Sequence, residues 1–79
     1  MEDNQQIFAI VEWYDDKKGL GIAKNNNVPL FIHSSYLRDK EVNLNSNDLI
    51  SCFPIEKNKI FHATQIEFIK TLSKIQIKK

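Results

Sequence analysis

The only two glycines of the chain, Gly19 and Gly21, stand two residues apart in the stretch Lys17-Lys18-Gly19-Leu20-Gly21-Ile22-Ala23-Lys24. Side chains of a strand alternate between its two faces, so this spacing strips one face bare while Leu20 and Ile22 occupy the other. A strand gives up packing in this way where it bends sharply or where another backbone approaches closely. The spacing therefore predicts a strongly bent barrel strand with both glycines facing inward and Leu20 and Ile22 facing outward. A phosphate-cradling loop is the competing reading, but a lone GxG without a following helix matches that pattern weakly.

The rest of the chain reads as further short strands. Ile7 to Tyr14, IFAIVEWY, is rich in β-branched and aromatic residues and runs into Asp15-Asp16, as a strand entering a polar turn does. GLGIAK is the second strand, and Asn25-Asn26-Asn27 supplies a turn tolerant of positive φ. VPLFIHSS is the third, with Pro29 near its start, where a missing N–H does least harm. A long polar connection follows, with one helical turn around Ser35 to Leu37. Leu49–Ile55 and Ile60–Ile69 are the fourth and fifth strands, the latter with Ala63 and Ile66 inward. At 79 residues there is room for one core. The expected fold is all-β, a small five-stranded antiparallel barrel spanning residues 1–69. Residues 70–79 are expected to form a basic C-terminal extension; Phe68 just before it, Leu72 and Ile75 fit helical spacing, while Ile75 and Ile77 alternate as in a strand.

Charge and cysteine content narrow the function classes. Eleven basic and ten acidic side chains leave a formal charge of +1, which excludes a strongly cationic field, so any nucleic-acid binding must lean on stacking. Cys52 is the single cysteine and is expected to be a small buried residue; with it, His33 and His62 scattered, neither a disulfide nor a metal site is expected. No acid–base pair or activated nucleophile is evident, so neither enzyme activity nor a cofactor is expected. No apolar run approaches a membrane span, and MEDNQQ lacks the features of a signal peptide. A soluble protein of the reducing cytoplasm is the expectation.

Two segments resemble the signatures of the cold-shock domain, a five-stranded oligonucleotide-binding (OB-fold) barrel. The first, Trp-Phe-Asn followed by Lys-Gly-Phe-Gly-Phe-Ile in the family, reads here Trp13-Tyr14-Asp15, then Lys18-Gly19-Leu20-Gly21-Ile22-Ala23. The second, Val-Phe-Val-His-Phe-Ser, reads Leu30-Phe31-Ile32-His33-Ser34-Ser35. The similarity extends from about Ala9 to Ile69, more weakly in the second half.

The resemblance implies single-stranded RNA or DNA as the partner, with a role as an RNA chaperone or transcript regulator. Bases would stack on Trp13, Tyr14, Phe31 and His33, Leu20 and Ile22 would complete the platform, and Lys18 and Lys24 would meet phosphates. Leu20, Ile22 and Ser34 stand where the family has phenylalanine, and Glu12 where it commonly has lysine. Each base–aromatic stack contributes on the order of 1–3 kcal/mol, so these departures imply weakened or altered binding. The alternative is a protein-interaction face, in which Leu20, Ile22 and Phe31 pack on a partner chain or in a homodimer.

Overall fold

The computed structural model describes residues 5–72. It contains β1 (Ile7–Asp15), β2 (Leu20–Asn25), β3 (Val28–His33), β4 (Asp48–Lys57) and β5 (Ile60–Thr71), with a 3-10 turn at Ser34–Tyr36. The strands close into a barrel in the order β1-β2-β3-β5-β4, an all-β, OB-fold-like arrangement. Four seams are antiparallel and the fifth is parallel, with Phe31 of β3 opposite His62 of β5. The antiparallel barrel expected from the sequence is corrected at this one seam. A closed ring with an odd number of strands cannot alternate direction all the way round.

Both two-residue hairpin loops have positive φ at each position, Asn26 (50°) with Asn27 (69°) and Asn58 (54°) with Lys59 (66°). This is the geometry whose twist matches that of the flanking strands. The core comprises Ala9, Val11, Ala23, Leu30, Ile32, Ile50, Cys52, Ala63 and Ile66, with Leu37 and Leu44 of the β3–β4 connection packed onto it. Ala63 and Ile66 both face inward although they lie three residues apart in one strand. Between the pairs Ser51–Glu67 and Phe53–Thr64, β5 advances three residues while β4 advances two, and Gln65 takes a positive φ of 49° at this bulge.

The connection is tied down at its far end by Asp48. Its buried carboxylate accepts hydrogen bonds from the Asn45 N–H (2.8 Å) and the Thr71 hydroxyl (2.8 Å). Lys70 and Thr71 pair with Leu49 and Asp48 as part of β5, so that strand runs past the Ile69 boundary. The helix and strand alternatives for the remainder of the extension fall on residues 73–79, outside the described residues. Among the described residues, no helix is long and apolar enough to cross a membrane.

The two glycines have different roles. Gly21 faces inward within β2, and a Cβ there would stand 2.5 Å from the Trp13 carbonyl oxygen and 2.9 Å from the Tyr14 Cα. Gly19 is not a strand residue: it precedes β2 with φ +69°, its N–H donates to the Asp15 carbonyl (2.7 Å), and its carbonyl accepts from the Ser34 N–H (2.9 Å). It is the left-handed residue that closes the β1–β2 turn.

Because the atoms facing Gly21 are mainly backbone, Gly21→Ala is expected to destabilise the barrel by at least the ~1–3 kcal/mol typical of overpacking, measured by urea denaturation. Burial also pushes the Cys52 thiol up from 9.0 to about 11. The folded state therefore holds the thiol proton more tightly than the unfolded chain does, and this contribution is intact below pH 9 and lost as pH rises towards 11. A rise of that size corresponds to about 2–3 kcal/mol. Stability of the native chain should fall more steeply between pH 9 and 11 than that of Cys52→Ala, as read from denaturation midpoints across the window.

Candidate nucleic-acid interface

The outer face is set by a bulge in β1. Val11 lies opposite Ala23 and Trp13 opposite Ile22, so Glu12 is an extra residue on the β1 side. Strict alternation from the buried Val11 would turn residue 13 inward. The extra residue resets the alternation and brings Trp13 out to 48% exposure. The polar β3–β4 connection holds the bulge: the Asn47 N–H donates to the Val11 carbonyl (2.9 Å) and the Ser46 hydroxyl to the Glu12 carbonyl (2.7 Å).

From Trp13 a row of side chains crosses three seams. Trp13 pairs with Ile22, Ile22 with Phe31, and Phe31 with His62. At the usual ~4.8 Å between strands the row spans about 14 Å. The Phe31 and His62 rings meet edge to face, with centroids 5.6 Å apart and planes at 86°. Leu20 and His33 pair beside this row. The His33 ring is fixed by its own turn: its Nδ1 accepts the Ser35 N–H (3.1 Å), capping the 3-10 turn, and lies 2.9 Å from the Ser35 hydroxyl. The structure thus brings Trp13, Leu20, Ile22, Phe31 and His33 onto one face.

Tyr14, named with them from the sequence, is elsewhere. It pairs with Gly21, its ring covers the space a side chain at that position would need, and it packs against the core. Burial is the main cause that raises its phenol pKa, aided by the nearby Asp16 carboxylate and opposed by a hydrogen bond with Ser34. Tyr14 and Gly21 therefore form a complementary packing pair. Ser34 is half-buried beside Tyr14.

The two lysines named as phosphate contacts differ in their surroundings. Lys18 is exposed in the β1–β2 turn, where its N–H and that of Lys17 donate to the Asp15 carboxylate (3.3 and 3.0 Å). Asp15 therefore builds the turn as well as adding negative charge. Lys24 lies on the outer face with its Nζ 3.2 Å from Glu12 Oε2, both side chains more than two-fifths exposed. An exposed pair of this kind contributes only about 0–1 kcal/mol, so an incoming phosphate has little to displace. Among the described residues, no three His, Cys, Asp or Glu side chains are grouped to hold a metal ion.

His62 is the platform neighbour that the sequence did not single out. With Ala63 inward, strand alternation already turns His62 outward, but only closure of the parallel seam sets it against Phe31. Together, the barrel and its outer row define an OB-fold-like module with a mixed aromatic and aliphatic face. No protein-family model and no curated protein matches the chain.

Loss of the Ser46 hydroxyl leaves the bulge carbonyl short of a donor. Ser46→Ala is expected to cost about 0.5–1.5 kcal/mol and to shift the emission of Trp13, the single tryptophan, whereas Ser46→Thr should preserve both. Unchanged Trp13 emission in Ser46→Ala would show that the connection does not set the tryptophan.

Proposed function

We propose that this chain is a non-catalytic, cold-shock-like protein that binds single-stranded RNA or DNA, acting in the cytoplasm as an RNA chaperone or transcript regulator. The observation that carries the reading is the continuous outer row Trp13–Ile22–Phe31–His62, with Leu20 and His33 beside it. Flat rings at Trp13, Phe31 and His33 offer stacking surfaces indifferent to base identity. Leu20 and Ile22 add apolar contact without a π-face, so affinity falls below that of an all-aromatic platform. Lys18, in the turn before β2, and Lys24, within β2, supply the cations, and the Glu12 carboxylate competes with phosphate for Lys24.

Titration with short pyrimidine-rich and mixed oligonucleotides at low salt, followed by Trp13 fluorescence, tests this function. Quenching is expected, and Phe31→Ala should weaken binding by about 1–3 kcal/mol. Glu12→Gln releases Lys24 and should tighten binding while steepening the salt dependence by about one phosphate contact. Absence of any fluorescence change at high micromolar oligonucleotide would refute the reading. Association that persists or strengthens with salt, and is lost in a Leu20→Glu, Ile22→Glu variant, would favour the protein-contact alternative.

A further inference from the structure

The parallel seam of the barrel does not end with β3. Leu37 of the β3–β4 connection bridges Ile66 of β5 in the same sense, and the Arg38 N–H donates to the Ile66 carbonyl (2.9 Å). At Asp39 the connection turns away: the Val42 N–H donates to the Asp39 carbonyl (3.1 Å) and the Glu41 N–H to the Asp39 carboxylate (3.0 Å). The departure opens a wedge of about 400 Å³ between the connection and β5. Leu37 and Ile66, both buried, lie at its base, and Val42 and Phe68 add apolar surface. Phe68 and the adjoining Ile69 are 40% and 43% exposed, and among the described residues no strand pairs with β5 on this side beyond Ile66. The rim carries both signs of charge. Arg38 stands on the connection wall and Glu67 on the β5 wall, with Nη1 3.9 Å from Oε1 and each side chain more than half exposed. None of the outer-row residues lines this wedge.

We propose that this wedge is the surface through which two copies of the chain dimerise. The inference is independent of the nucleic-acid reading. Charge complementarity selects this occupant. A two-fold axis running along the wedge lays the connection wall of one copy over the β5 wall of the other. Each Arg38 then faces the Glu67 of the other copy, while the two apolar bases close on one another. Such a patch is self-complementary, as a two-fold interface must be. Association takes Phe68 and Ile69 out of water, and it turns one exposed, weak contact within the chain into an alternating array of four charges. A phosphate backbone is a poor occupant, since Asp39 and Glu67 outnumber Arg38 in the lining. That lining is small beside the roughly 20–30 residues a side of a standard interface, so the dimer forms at high protein concentration.

Sedimentation of the native chain at low salt should show the average mass climbing towards that of two chains in the high micromolar range. Arg38→Glu and Glu67→Arg each set like charges against one another at both reciprocal pairs, and each should weaken association at least tenfold. Mixing the two variants in equal amounts should restore it, because the negative pair of one then meets the positive pair of the other. Phe68→Asp should abolish association in every combination, whereas Leu20→Glu, Ile22→Glu should leave it intact. Arg38 and Glu67 are exposed, and thermal melts establish that each variant folds. Oligonucleotide titrations of the charge-reversal variants should match the native chain, so the two readings fail separately. A native chain that stays monomeric to millimolar concentration overturns the proposal, as does association that survives both charge reversals or is not recovered on mixing. Association abolished by Leu20→Glu, Ile22→Glu but kept in Phe68→Asp would place the self-contact on the outer row and overturn it as well.

Discussion

The contact between β1 and β2 at Gly21 is where the barrel's geometry and its outer face are both decided. The β1 backbone at Trp13 and Tyr14 comes so close to Gly21 that no side chain fits between them, and the ring of Tyr14 covers the space. That approach accompanies the bulge at Glu12, which switches β1 from presenting Val11 to the core to presenting Trp13 to solvent. A bulge leaves backbone carbonyls out of the regular ladder, free to take donors from elsewhere in the chain. Ser46 and Asn47 supply them. The long connection is thus part of the structure that displays Trp13, and Asp48 fastens its end by bonding to Asn45 and Thr71.

On this frame the outer face combines weak and strong elements. Trp13, Phe31 and His62 provide rings, with an edge-to-face contact holding the last two together. Leu20 and Ile22 fill the intervening positions with aliphatic groups. Electrostatics are similarly moderated, since a chain of charge +1 places Lys24 against Glu12 rather than leaving it to dominate the local field. A face of this kind favours short-range contact over long-range attraction, which is why stacking and apolar contact carry more of the proposed binding than phosphate neutralisation.

Much of the fold was legible locally. Alternation placed Gly21 inside and Leu20, Ile22, Phe31 and His33 outside, because a two-residue period is a property of any strand, whereas Ala63 and Ile66 share the inner face through the bulge at Gln65. The asparagines announced one hairpin for the same kind of reason, their tolerance of positive φ. Where alternation misled, an irregularity had intervened. Trp13 and Tyr14 are adjacent and were read as platform partners, yet successive strand residues face opposite ways, and the bulge determines which of the two is exposed. Gly19 stands at the spacing of a second inward strand glycine, but β2 begins one residue later, at Leu20, and Gly19 closes the turn before it.

By itself, then, the sequence determined the strands, their turns and most of the inward set, since these follow from local periodicity and backbone preference. Tertiary structure decided which outward residues share a surface. Phe31 and His62 meet across a parallel seam that exists only because five strands close into a ring, and Ser46 reaches a carbonyl 34 residues away in the chain. Neither pairing leaves a periodic trace, because each depends on loop closure and register summed around the whole barrel.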